Sequence, residues 1–380
     1  MTPGDDGFRT AFAGETEALG RITILVLGRT GVGKSTLVNA VFGESLAETG
    51  IGRPVTQASH LYAREGHGVA VVDTKGLELG TDAEQLVGEL RDLVAHSRTR
   101  PPHEQVHVAW FCLQAADLRV QDSERAVLEA LRELGVPTVL VMTRVGLHQG
   151  RTHPDVVAFA AAVEAMGLPV VDGRAHPVMA QADPFSGFPA HGLPELLEVT
   201  RRVAPEGVRA ALVAAQRVDA DAKAKEAGKA VAAAAAQAAA VAATPIPFAD
   251  AAVLVPIQLR MMSRIALLHN VPMDRATMLA LASVAATTGA GRSLTTGLLK
   301  LVPGAGTLTG GVVGASVASG VTMAMGAAWI QVCRRYGRDG LVDGVALASG
   351  EVRDLFLREL RSALPGGLGG RRSAPHERLR

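Results

Sequence analysis

At 380 residues the chain is longer than a single hydrophobic core usually grows, so two or more structural units are expected. A formal net charge of +1 removes any global electrostatic case for nucleic acid or an acidic substrate, and two distant cysteines, Cys112 and Cys333, lack ligand spacing and exclude a zinc cluster. Met1 to Gly14 holds Asp5, Asp6 and Arg9 without an apolar run, which argues against a secretory signal and for a cytosolic, reducing location.

Residues 1–20 read as an N-terminal arm. From Arg21 to Gly28 the run RITILVLG is β-branched and nearly continuous in apolar residues, the pattern of a parallel strand buried on both faces. A helix follows over Lys34 to Val41. Further strands are expected at Gly68–Asp73, Val106–Leu113 and Pro137–Thr143, with weaker ones at Val170–Val171 and Pro177–Met179 and helices at Thr81–Ala95 and Asp122–Leu134. Strands alternating with helices predict a doubly wound, mostly parallel α/β domain over residues 21–204.

After Pro205 an Ala-dominated segment over 205–243 predicts a linker helix, most simply a spacer, which TPIP at Thr244–Pro247 ends. Apolar stretches at Phe248–Val255, Ile257–Leu268 and Ala276–Ala290 open an all-α helical domain over 244–340. A short amphipathic helix follows over 341–364, and residues 365–380 form a Gly- and Arg-rich tail expected to be disordered. No charge occurs from Leu301 to Cys333, a length that suffices to cross a bilayer, and Trp329 with Arg334, Arg335 and Arg338 fits an interfacial belt. The same Gly- and Ala-rich composition suits a tight soluble bundle. Both readings stand, with inner-membrane contact as the alternative to a purely cytosolic protein.

GRTGVGKS, Gly28 to Ser35, fits G-x-x-x-x-G-K-[ST] after a buried strand and at the start of a helix. Gly28, Arg29, Thr30, Gly31, Val32 and Gly33 supply a loop backbone that wraps phosphates, at the positive end of the helix macrodipole. Lys34 is expected at the β- and γ-phosphates and the Ser35 hydroxyl on Mg2+, with Thr36 opening the helix. VVDTKG, Val71 to Gly76, ends an apolar strand in Asp73, suited to hold Mg2+ through water, and Gly76 would offer its N–H to the γ-phosphate. Between them, GRPVTQ is a polar stretch without periodicity, in which Thr56 could close over Mg2+.

GRTGVGKS, PVT and DTKG in this order resemble the translation-factor-like GTPases of the Era and TrmE type, over roughly the first half of the chain. Lys75 stands where that family commonly has Pro. The resemblance implies a P-loop GTPase domain that binds GTP and GDP with Mg2+, with Lys34, Thr56 and Gly76 around the transferring phosphate and Ser35, Thr56 and Asp73 on the metal. Leu77 replaces a water-orienting Gln, so slow intrinsic turnover is implied, accelerated on homodimerisation or on docking to a partner. The family chooses guanine through [NT]-K-x-D. Here TRVG keeps Thr143 and places Arg144 at the Lys position, but Gly146 stands at the Asp position. PVMAQ at Pro177–Gln181 fits the later base loop, with Ala180 offering its N–H, and Asp172 or Asp183 could supply the missing carboxylate in space. The segment Trp110 to Glu124 and the order of elements over Pro245 to Gly337 resemble bacterial GTPases with a C-terminal DUF697-type domain, which implies membrane contact without naming a cargo. A scaffold that no longer hydrolyses nucleotide, and a ribosome- or RNA-assembly factor, are the competing readings. No KH-type loop or basic stripe follows the domain, so no specific nucleic acid is expected.

Overall fold

The computed structural model describes residues 3–43, 53–56, 59–63, 68–73, 83–243, 250–271, 311–339 and 349–363. Lys75, Gly76, Leu77, the TPIP break, the stretches Ala276–Ala290 and Leu301–Gly310 and the tail fall outside them. The chain divides into two compact units: residues 18–222, and residues 1–17 together with 223–380.

The first unit is built on a seven-stranded sheet. Its strands are β1 (Ile22–Leu27), β2 (Arg53–Thr56), β3 (Ser59–Ala63), β4 (Val69–Asp73), β5 (Val108–Gln114), β6 (Thr138–Thr143) and β9 (Ala175–Val178), with β7 (Leu147–His148) and β8 (Arg151–Thr152) forming a separate small hairpin. The order is β2-β3-β4-β1-β5-β6-β9. β1 runs parallel to β4 and β5, β5 to β6, and β6 to β9, whereas β2 and β3 extend the β4 edge antiparallel. The crossover direction therefore reverses beside β1, which opens a crevice at the carboxyl ends of the strands, where α/β proteins bind ligands.

β1 shows why it takes the centre. Ile22, Ile24 and Val26 face one core and Leu25 and Leu27 the other, all essentially without solvent contact. Helix α2 (Lys34–Phe42) covers the first face together with later helices α6 (Leu193–Val203) and α7 (Glu206–Ala215). Helices α3 (Ala83–Arg98), α4 (Asp122–Glu133) and α5 (Pro154–Ala165) cover the second. Trp110 anchors the first face, stacked on Phe42 at 5.9 Å and donating its indole N–H to Thr200 Oγ1 at 2.9 Å.

The second unit is helical. Helix α1 (Pro3–Leu19) was expected as an arm, but Phe8 and Phe12 share one face and are buried, and Glu15 pairs with Arg260 and Arg264. It clusters with the C-terminal helices, because two buried aromatics four residues apart give it an apolar stripe. The helix expected over 205–243 is in fact two. Gln216 ends α7: its side-chain oxygen accepts the N–H groups of Val218 and Asp219, and its amide donates to Asp219 O. Asp219 then caps the start of α8 (Ala220–Ala243) by accepting from Ala222 N at 2.8 Å. α7 packs on β1 and β4, so the sheet unit runs past residue 204. α8 buries Lys223, Ala227, Val231, Ala234, Ala235 and Ala238, a stripe that makes it a packing helix rather than a spacer.

Among the described residues, helices α9 (Asp250–Leu268), α10 (Gly311–Asp339) and α11 (Ser349–Ala363) also belong to this unit. Trp329, expected at a membrane boundary, is instead fully buried and donates its indole N–H to Met262 O at 2.8 Å. Gly326 fits against Val231, where an added Cβ would lie 2.4 Å from a methyl group, so small residues on α10 serve close helix packing. Among the described residues, Ala315–Arg335 is the one stretch long and apolar enough to cross a membrane, and less than half of its apolar window is buried.

Candidate functional site

The loop Gly28–Gly33 joins β1 to α2 at the sheet crevice, and its glycines are required there. Gly28 has φ 137°, and a Cβ on it would lie 2.4 Å from Cys112 O of β5; Gly33, at φ 102°, ends the loop in the left-handed region. Lys34 turns its ammonium back onto the loop, donating to Gly28 O at 2.7 Å and Arg29 O at 3.1 Å. Arg29 pairs with Asp117 just after β5 at 3.4 Å. Val32 is buried, Gly31 and Thr30 are exposed, and Ser35 and Thr36 stand exposed in the first turn of α2. The first-turn amides thus point into the crevice with the macrodipole behind them.

The end of β6 braces the loop from the side. Thr143 Oγ1 donates to Val32 O at 2.6 Å, with Leu113 O at 3.1 Å as the alternative acceptor. Arg144, in the left-handed region at φ 56°, donates to Gly31 O at 2.8 Å. Thr143 is buried, so its hydroxyl acts on the loop carbonyl; Arg144 is exposed and spans the loop from outside.

Asp73 closes β4 in register with Val26 of β1, which brings its backbone to the same strand ends as the loop. Thr56 lies in β2, so GRPVTQ contributes an edge strand rather than an open loop. Polar composition hid the β2–β3 pair from sequence, because an edge strand solvated on one side needs no apolar run. Among the described residues, no three or more His, Cys, Asp or Glu side chains gather as a metal site. Ser35, Thr56 and Asp73 are hard oxygen donors, a set that suits Mg2+ completed by phosphate and water.

A cavity of about 450 Å3 adjoins the loop. Gly33 and Thr36 line it from the loop, Thr143 and Arg144 from β6, and Val178, Ala180, Gln181, Asp183 and Phe188 from the segment after β9. That segment is a hairpin. Met179 and His191 exchange backbone hydrogen bonds at 3.0–3.1 Å, Asp183 N donates to Phe188 O at 2.9 Å, and His191 Nε2 reaches Val145 O at 2.7 Å. Gly192 closes it at φ 80°, where a Cβ would strike Pro177 O. Of the two aspartates weighed from sequence, Asp183 lines the cavity, whereas Asp172 is paired with Arg202. Phe188 could not be found from sequence, since its place depends on the hairpin fold.

Residues 23–144 match the family described as "50S ribosome-binding GTPase". The sheet unit has the fold of a P-loop GTPase domain. Over 207 residues the chain is 30% identical to GTPase Der of Ruegeria pomeroyi, covering 53% of this chain and 37% of that protein. It is 26% identical over 187 residues to GTPase Era of Lactobacillus delbrueckii subsp. bulgaricus, covering 48% of this chain and 54% of that one. A solved structure of an Aquifex aeolicus Era variant bound to GDP.AlF4- aligns with TM-score 0.33 and 17% identity, over 49% of this chain and 58% of that one. The chain thus spans about half or less of the length of these curated relatives.

Proposed function

We propose that the chain is a Mg2+-dependent GTPase that binds GTP and GDP across the loop and its adjoining cavity and turns GTP over slowly. One observation carries the reading: Gly33 of the phosphate loop and Thr36 of the first turn of α2 share a single cavity with Arg144 and Ala180 of the base side. Loop N–H groups and the α2 terminus hold the phosphates. Lys34 exchanges its two carbonyl contacts for oxygens of the β- and γ-phosphates and stabilises charge there during transfer. Ser35, Thr56 and Asp73 would hold Mg2+, which would supply neutralising charge at the phosphates, and Gly76 would offer its N–H to the γ-phosphate. Arg144 lays a planar cation along the base, and Ala180 offers its N–H to the base edge.

Calorimetric titration of the full chain with GTP, GDP and ADP in Mg2+ tests this, alongside single-turnover hydrolysis. Tight guanine-nucleotide binding is expected, weakened about tenfold to a hundredfold in Lys34→Ala, as loss of charge-assisted bonds predicts. Absence of binding by the unmodified chain sinks the reading.

For the helical unit, α10 supports contact with a membrane, since its length and composition suffice to cross one. Flotation of the full chain with phospholipid vesicles supports this reading. Recovery in the bottom fraction, with cosedimentation on ribosomal subunits instead, moves the helical unit to the ribosomal association named in the matched family's description.

A further inference from the structure

On the base side, position 146 carries no side chain, whereas a carboxylate lines the cavity at 183, and one hairpin accounts for both. A Cβ on Gly146 would lie 2.3 Å from both Cδ2 and Cε2 of Phe188. No side chain, and so no aspartate, fits at 146 while Phe188 holds that place. Phe188 is in turn the cross-strand partner of Asp183 in the hairpin, bound through Asp183 N to Phe188 O. The rung that fills the space beside Gly146 therefore delivers an acid to the same cavity.

We propose that Asp183 is the specificity-determining residue for the base: its carboxylate accepts the N1–H and exocyclic N2–H of guanine in place of the group missing at 146. This rests on the nucleotide site proposed above. Asp183 Oδ1 already accepts Phe185 N at 3.0 Å and Oδ2 accepts the Ser186 hydroxyl. A carboxylate offers about four lone-pair sites; the Phe185 N–H and the Ser186 hydroxyl and N–H orient both oxygens beforehand, and a docking base edge takes the remaining site and displaces one Ser186 contact. The Ser186 hydroxyl, and next the Phe185 N–H, hold the carboxyl below its ordinary range, so it is ionised as an acceptor-only group should be. The hairpin root is pinned to the end of β6 by His191 on Val145 O, and Phe188 adds an apolar wall. Asp172 is unsuited to this task, being engaged by Arg202 and absent from the cavity lining.

Donor and acceptor matching fixes the outcomes. Guanine presents two donors to a carboxylate; hypoxanthine lacks the exocyclic amine, adenine presents an acceptor at N1, and xanthine replaces the amine by a carbonyl. The full chain should bind GDP more tightly than IDP and ADP. Asp183→Asn should lower GDP affinity by roughly tenfold to a hundredfold, the scale of one bidentate base contact. It should also raise affinity for XDP, whose N1–H and carbonyl match a carboxamide, a gain that a merely unfolded hairpin would not give. Asp172→Asn should leave all affinities unchanged, and Ser186→Ala should weaken GDP by a smaller factor by loosening the carboxylate. Tight GDP binding by the parent, with Asp183→Asn retaining both that affinity and the preference over IDP, overturns the assignment and leaves the GTPase reading intact. Failure of the parent to bind GDP, IDP, ADP or XDP overturns both.

Discussion

Thr143 shows how a single hydroxyl can govern the proposed phosphate site without touching phosphate. Its donation to Val32 O holds the loop between Gly31 and Gly33, the residues proposed to wrap the phosphates. Thr143→Val keeps shape but orphans a buried carbonyl, which costs about 1–3 kcal/mol. A lowered Tm together with a severalfold loss of GDP affinity is expected, and an unchanged affinity at lowered Tm would show that the hydroxyl serves the core alone. The motif TRVG marks Thr143 and Arg144 for the base side. Their hydrogen bonds to the loop carbonyls are a second role, which no spacing rule reveals because Val32 and Thr143 meet only after β1, β5 and β6 align. Gly146 was legible as a departure. Its cause, the Phe188 ring, was not.

At the level of elements, those written as apolar runs were readable and those of mixed composition were not. β1, β4, β5 and β6 announced themselves as apolar runs, whereas β2 at the sheet edge, its partner β3, and α1, whose Phe8 and Phe12 sit among charges, passed as loop and arm. The end of α9 gives a testable consequence. His269 is buried, with Nδ1 on Ile265 O, Nε2 without a hydrogen-bond partner among the described residues, and Lys223 of α8 and Arg334 of α10 adding positive charge. Burial first, opposed by the Ile265 bond and reinforced by those cations, lowers its pKa to about 4. The unfolded chain takes up this proton near pH 6.5 and the folded one only near 4, so the stabilisation is complete above pH 6.5 and is lost as pH falls through that window, about 3 kcal/mol in all. Urea unfolding between pH 7 and 4 should show this acid limb, smaller in His269→Gln. Burial also lowers His107 and His176 in the sheet unit, so the difference between parent and variant is the informative quantity.

Across the whole chain, the division into a sheet unit and a helical one was legible from the shift in composition near residue 205, but the seam was not. It lies at residue 222, because α7 is apolar toward β1 and β4 and the true break is the Gln216–Asp219 turn, which carries neither Gly nor Pro. Nor did sequence reveal that the first seventeen residues join the last part of the chain.

That last feature bears on the order of events during synthesis. At roughly 5–20 residues per second, α1 leaves the ribosome on the order of ten seconds or more before α10 and α11, while the sheet unit between them can fold in the interval. The nascent chain must carry Phe8 and Phe12 exposed for that time, a natural opening for a chaperone. The sheet unit, in this topology, is an insertion inside a helical host whose two parts close only once the helices after residue 222 have been made.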